Sequence, residues 1–238
     1  MRWIICAAFV VATMAVCSGV GMAQTPSPFD AEIAAFEKAD AKSAPPQNAI
    51  LFVGSSSIRM WTSVAQDLPD YQVINRGFGG SQATDVVQFM DRIVLPYRPR
   101  IIVFFVGTND LAAGKSPEQV YASYEEFVKR VQTALPDTRI ACISQHLAPV
   151  RANLRSKFEQ LNRYYKDAIH KFARVDYIDT YKLLLLPNGE PNTSLFIADR
   201  LHMNKDGYKI WTKLVHRYLV KHDGVGDGAR PTRFDMWK

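Results

Sequence analysis

The chain has 238 residues, of which 47% are hydrophobic and 22% charged, with 13 Gly and 13 Pro. These proportions exclude a disordered tail, a collagenous repeat and a polytopic membrane protein. The formal charge of +6 is scattered rather than clustered, so nucleic-acid binding is not indicated, while contact with anionic envelope polymers is compatible with it. At this length a single α/β domain buries roughly 70% of the surface of its unfolded chain and needs no disulfide or metal staple.

Residues 1–23 have the layout of an export signal. Arg2 supplies the positive start, Trp3 to Cys17 is an almost unbroken apolar run, and Gly21-Met22-Ala23 offers small residues to a signal peptidase. The protein is therefore expected to be exported, periplasmic or secreted, with Gln24 as the mature amino terminus and no stable membrane insertion afterwards. The alternative is a retained anchor, but the run is about 15 residues where a span needs roughly 20. A lipid-modified Cys17 is a second alternative, disfavoured by Val16 beside it. Cleavage removes Cys6 and Cys17, leaving Cys142 without a disulfide partner. Within Ile140-Ala141-Cys142-Ile143 it reads as a buried structural thiol rather than a nucleophile.

Residues 24–48 form a lead-in with a short helix from Asp30 to Ala39, Ile33 and Phe36 sharing a face, and end at Ala44-Pro45-Pro46-Gln47. The domain proper is expected over 49–222. Five apolar runs, Ala49–Val53, Tyr71–Ile74, Ile101–Val106, Arg139–Ile143 and Val175–Ile178, suit strands buried on both faces. Ser116-Pro117-Glu118-Gln119 is a capping box opening a helix with Val120, Tyr124, Phe127, Val131 and Leu135 on one stripe. Leu154, Phe158, Leu161, Tyr165, Ile169 and Phe172 mark a second helix, and Lys205 to Val220 a last one with Ile210, Trp211, Leu214 and Tyr218. A tail over 223–238 is expected to fray. Strands alternating with helices predict one α/β domain, a three-layer α/β/α sandwich around a doubly wound, parallel five-stranded sheet.

In such a sheet the loops leaving the carboxyl ends of the strands line the ligand crevice. The polar residues there are Gly54-Ser55-Ser56-Ser57, Asn75-Arg76-Gly77-Phe78-Gly79-Gly80-Ser81 and Gly107-Thr108-Asn109-Asp110, joined by Asp199-Arg200-Leu201-His202 before the last helix. Singly they read as caps and turn formers. Together they supply the parts of acyl transfer: a serine nucleophile, a base, a carboxylate to orient the base, and N–H donors for a tetrahedral oxyanion. The three-residue step from Asp199 to His202 lets the carboxylate hold one ring nitrogen while the other faces a serine.

These four blocks, in this order from about Ile50 to Leu219, resemble those of the SGNH or GDSL-type hydrolases. The resemblance implies a flavodoxin-like strand order 2-1-3-4-5 and a GDSL-like lipase or acylhydrolase activity. It also implies Ser56 as nucleophile with Asp199 and His202 completing the triad, and an oxyanion hole of Ser56, Gly80 and Asn109. Ser55 stands where the family commonly carries Asp, and the three consecutive serines leave Ser55 and Ser57 as alternative registers.

Arg76 and Phe78 flank the second block and are candidates either for substrate contact or for turn packing. His146, after the fourth strand run, is a candidate either to line the substrate pocket or to be a structural histidine. His170, His216 and His222 read as solvated. No CxxC, HExxH, Walker loop or complete GxGxxG occurs, so no metal or cofactor is expected. The reading is an exported serine esterase for short acyl groups such as acetyl, on a small molecule or a carbohydrate polymer. The alternatives are a lysophospholipase or thioesterase and a non-catalytic binding domain of the same fold. Nothing in the sequence bears on oligomeric state.

Overall fold

The computed structural model describes residues 27–223; the expected export signal, the expected cleavage site and nearly all of the expected tail lie outside them. In chain order the elements are α1 (Asp30–Lys42), β1 (Ile50–Gly54), α2 (Ser56–Arg59), α3 (Val64–Asp67), β2 (Val73–Gly77), α4 (Ala83–Ile93) and β3 (Ile101–Phe105). They continue with α5 (Thr108–Ala112), α6 (Pro117–Ala134), β4 (Arg139–Ile143), α7 (Arg155–Asp167), β5 (Val175–Ile178) and α8 (Lys205–His222). Short 3-10 turns fill several connections, among them Pro149–Leu154.

Strand order is β2-β1-β3-β4-β5 and every neighbouring pair is parallel. Side chains alternate across the sheet with period two. Leu51, Val53, Ile102, Phe104, Ile140 and Cys142 enter one core with the apolar stripes of α4, α6 and α7 and with Ile33 of α1. Ile50, Phe52, Ile101, Val103, Phe105, Ala141 and Ile143 enter the other, with Trp61 and with Trp211, Val215 and Leu219 of α8. The three-layer α/β/α architecture follows, because each central strand is apolar on both faces and needs a helical layer on each. Among the described residues no helix is long and apolar enough to cross a membrane.

Ser116 opens α6 with the expected reciprocal cap: its Oγ accepts from Gln119 N at 3.3 Å, and its own N–H donates to Gln119 Oε1 at 2.9 Å. Three readings need correction. The second strand begins two residues later than its apolar run and continues through Asn75-Arg76-Gly77, because these residues pair in register with Phe52, Val53 and Gly54. The amphipathic helix α4, burying Val86, Val87, Phe89, Met90 and Ile93, was not anticipated. His216 is buried, edge-on to Tyr71, rather than solvated, since it lies on the face of α8 that meets the sheet.

β1 and β3 approach each other closely at the carboxyl end of β1. Gly54 has φ +153°, and a Cβ there would stand 1.9 Å from the Phe105 carbonyl oxygen. That oxygen accepts the N–H of Ser55 at 3.2 Å, so the missing side chain lets β1 and β3 close up just where the chain turns into α2. Gly54→Ala is expected to cost on the order of 3 kcal/mol or more, because a main-chain atom cannot swing aside as a side chain would. Urea unfolding of the variant checks this, and wild-type stability would show that the two strands can part freely.

Candidate active site

β1 ends at Gly54 and the chain turns at once into the single-turn helix α2, which puts three consecutive serines at the carboxyl edge of the sheet. Their environments differ. Ser55 is buried and its Oγ has no hydrogen-bond partner among the described residues, while Ser57 is buried and its carbonyl accepts from Tyr208 Oη at 2.8 Å. Ser56 is partly exposed, and its Oγ lies 2.9 Å from His202 Nε2. Asn75 of β2 fastens the far end of α2, its Nδ2 donating to Ile58 O at 2.7 Å and its Oδ1 accepting from Gly77 N at 2.9 Å.

His202 and Asp199 share one turn. Asp199 Oδ1 accepts the backbone N–H groups of Leu201 and His202 at 2.8 and 3.0 Å, and Oδ2 lies 2.6 Å from His202 Nδ1. Burial pushes the Asp199 carboxyl upward, but the hydrogen bonds from the His202 ring and these two amides outweigh it and hold the acid at about 2. A carboxylate can only accept, so Nδ1 carries the hydrogen and Nε2 presents its lone pair to the Ser56 hydroxyl. The turn is braced by Ile197 N on His202 O at 2.9 Å and by Val150 N on Arg200 O at 3.2 Å. Arg200 itself takes a left-handed φ of 57°.

The second and third blocks are joined to each other. Asp110, fully buried, accepts the N–H of Ala83 at 3.0 Å and pairs with Lys115 at 3.0 Å. Asn109 Nδ2 donates to Ser81 O at 3.0 Å, which spends one of its two hydrogens. The backbone N–H groups of Ser56 and Gly80 have no hydrogen-bond partner among the described residues. Gly80 sits at φ +80° with open space where a side chain would be, so its glycine answers to backbone conformation. Three N–H donors are thus left unspent on the loops around Ser56.

The pocket beside the serine is lined by Ser56, Ser57, Thr108, His146, Ala148, Arg151, Leu201 and His202, and its empty space is about 250 Å³ with open solvent included. His146 therefore faces the site. Arg76 and Phe78 do not line it. Arg76 donates to Tyr97 Oη at 2.7 Å and pairs with Asp40 of α1 at 2.5 Å, while Phe78 is fully buried edge-on to Phe29 and Phe89. Their role is the packing of the lead-in helix on the second block. Arg151 was missed by the sequence reading. It lies in the 3-10 segment after β4, at φ −115° and ψ 18°, and its one signal was a cation in a loop at the carboxyl edge of the sheet. Cys142, the fourth residue of β4, is fully buried, and burial pushes its thiol well up. No cluster of metal-ligating residues occurs among the described residues.

Residues 47–210 match the model of the GDSL-like Lipase/Acylhydrolase family. Among solved structures, a GDSL-like lipase from Bacteroides thetaiotaomicron superposes with a TM-score of 0.69 at 18% identity, over 80% of this chain and 98% of that one. A carbohydrate esterase of family 3 from Talaromyces cellulolyticus gives 0.61 at 16%, over 76% and 99%. An acetyl xylan esterase gives 0.59 at 21%, over 71% and 98%. At these identities the likeness is one of fold. No curated protein matches the chain in sequence.

His146 is a buried titratable group inside this pocket. Its ring stacks on Phe105 at 5.3 Å and 9°, and its Nδ1 is buried without a hydrogen-bond partner among the described residues. Burial, reinforced by the charges of Arg151 and His202, pushes its pKa down to about 3 against the opposing Leu201 backbone. Unfolded, the ring titrates near about 6.5. Between these values the unfolded chain binds a proton that the folded one refuses, so His146 lowers stability as pH falls from about 6.5 toward 3, by up to about 1.4 kcal/mol per pH unit. His146→Gln should flatten the loss of stability between pH 6.5 and 4. Parallel urea midpoints for wild type and variant over that range would overturn the assignment.

Proposed function

The chain belongs to the GDSL-like lipase/acylhydrolase family, and from that premise we propose that it is an exported serine esterase acting on short acyl esters, acetyl foremost. It is a carboxylic ester hydrolase by family. The observation that carries the finer reading is the unbroken chain from Ser56 Oγ to His202 Nε2 at 2.9 Å and from His202 Nδ1 to Asp199 Oδ2 at 2.6 Å, at the mouth of the pocket.

Ser56 Oγ attacks the ester carbonyl while its proton passes to His202 Nε2, and the carbonyl oxygen becomes an oxyanion. The N–H groups of Ser56, Gly80 and Asn109 stabilise that charge, which exists only near the transition state. Collapse breaks the ester C–O bond, and the leaving alcohol takes the proton from Nε2. Water then attacks the acyl-serine, giving its proton to Nε2, and the second collapse releases the carboxylic acid and restores Ser56. Asp199, acidic to about 2, stays negative throughout and faces the imidazolium at its strongest.

Acyl length follows from space. The volume open to the centre of a water-sized sphere is only about 10 Å³, far below the roughly 300–1,000 Å³ of pockets that enclose drug-sized ligands. Buried His146 and Ala148 are part of the pocket's wall. Acetyl esters of carbohydrate are the favoured substrates, a reading that the carbohydrate esterase and acetyl xylan esterase of like fold support.

A fluorophosphonate should label the wild type on Ser56 and leave a folded Ser56→Ala variant unlabelled. Across nitrophenyl esters, kcat/KM should fall by more than about tenfold from acetyl to octanoyl, as an acyl chain too long for the pocket loses its alignment. A rise with chain length would favour a lysophospholipase or thioesterase. Absence of both labelling and turnover would favour the binding-domain reading.

Export rests on Arg2, the run Trp3–Cys17 and the small residues Gly21 and Ala23. The native protein should carry Gln24 at its amino terminus by mass spectrometry. Retention of Met1 in a cytoplasmic fraction would overturn this.

A further inference from the structure

We infer that Arg151 is a positioning residue of the oxyanion hole: its guanidinium fixes the Asn109 side-chain amide in the one orientation that leaves an N–H free for the oxyanion. The inference rests on the esterase reading above. Arg151 Nη2 donates to Asn109 Oδ1 at 2.9 Å. On the other side of the same amide, Ser81 O accepts from Nδ2 at 3.0 Å.

The chemistry of the two partners removes the ambiguity an amide normally has. A guanidinium can only donate and a carbonyl can only accept, so a flipped Asn109 would set Nδ2 against a cation and Oδ1 against a carbonyl oxygen, two repulsive contacts in place of two bonds. With one Nδ2 hydrogen spent on Ser81, the other is held in the plane the two bonds define. Donation from a cation into Oδ1 also draws electron density from the amide and makes the remaining N–H a stronger donor.

The setting of Arg151 points the same way. It lines the pocket that holds Ser56 and His202, and among the described residues no carboxylate lies within ion-pair distance of it. Its non-helical backbone, in a turn that follows β4, points its side chain back to the third block across 42 residues of sequence. A partly buried cation without an acid partner is unfavourable in the resting protein, and burial lowers its pKa. The bond to Asn109 Oδ1 is the one side-chain hydrogen bond it makes among the described residues, so this amide is what it holds.

Steady-state kinetics on nitrophenyl acetate with Asn109→Ala, Arg151→Met and the double variant test the inference. Asn109→Ala should lower kcat by on the order of a hundredfold, the loss typical of one oxyanion donor. Arg151→Met should lower kcat by about tenfold to a hundredfold with KM within about threefold. The double variant should fall within about threefold of Asn109→Ala alone, because without its amide Arg151 has nothing to hold. Should Arg151→Met fail to fold, Arg151→Lys keeps a cationic donor and should retain the fold with a smaller loss of kcat, and added guanidinium ion should restore part of kcat to Arg151→Ala. Losses that multiply in the double variant, a loss confined to KM, or wild-type turnover in a folded Arg151→Met would each overturn the inference. Wild-type protein that is labelled on Ser56 and turns over nitrophenyl acetate keeps the esterase reading intact in all those cases. A wild type that does neither removes both.

Discussion

The site depends on the register of a parallel sheet whose middle strands end side by side. β1 lies between β2 and β3 with Gly54 opposite both Gly77 and Phe105, so the chain leaves all three strands at one level. The serine turn, the glycine loop and the asparagine turn are therefore neighbours before any side chain has chosen a rotamer. A one-residue slip of β1 would turn Leu51 and Val53 to the wrong core and move Ser56 along the strand axis by about 3.3 Å, enough to lose the hydrogen bond to His202. The two cores hold the register, since every residue of β1 and of β3 is buried.

Around that level edge the loops hold one another. Asn75 bonds the nucleophile helix, Asp110 bonds the start of α4, and Asn109 bonds the Ser81 carbonyl. The lead-in helix adds a further tie, for Glu32 accepts the Gly79 N–H at 3.3 Å and pairs with Arg59 at 3.6 Å. A segment far from the chemistry thereby touches both the nucleophile helix and the loop that carries Gly80. The polar residues of the blocks thus divide into those proposed to meet the substrate and those, such as Asn75, Arg76 and Asp110, that keep the loops in place.

What the sequence made legible follows the strength of its periodic signals. The central strands were plain because both their faces are apolar, and α6 was plain because its cap and its stripe agree. The edge strand β2 was misplaced at both ends, since an edge position tolerates Asn75 and Arg76 and so blurs the boundary that hydrophobicity draws. The helix α4 follows a Gly-rich loop that drew attention to its chemistry. Asp199, Ser56 and His202 stood in compact blocks and could be named. Arg151 could not, because its partner lies 42 residues away and only the fold brings them together. His216 was misjudged because a lone histidine on a helix gives no sign of which face it occupies.

The acid and the base of the proposed triad sit three residues apart on one turn, while the nucleophile lies 146 residues away. Only one of the two contacts therefore has to be delivered by the tertiary structure. The carboxylate and imidazole travel as a preassembled unit, and its alignment with Ser56 hangs on how α8 seats on the sheet, through Tyr208 Oη on the Ser57 carbonyl and Trp211 against Phe105. A loosening of that one helix would carry the imidazole away from Ser56 while leaving its bond to Asp199 intact.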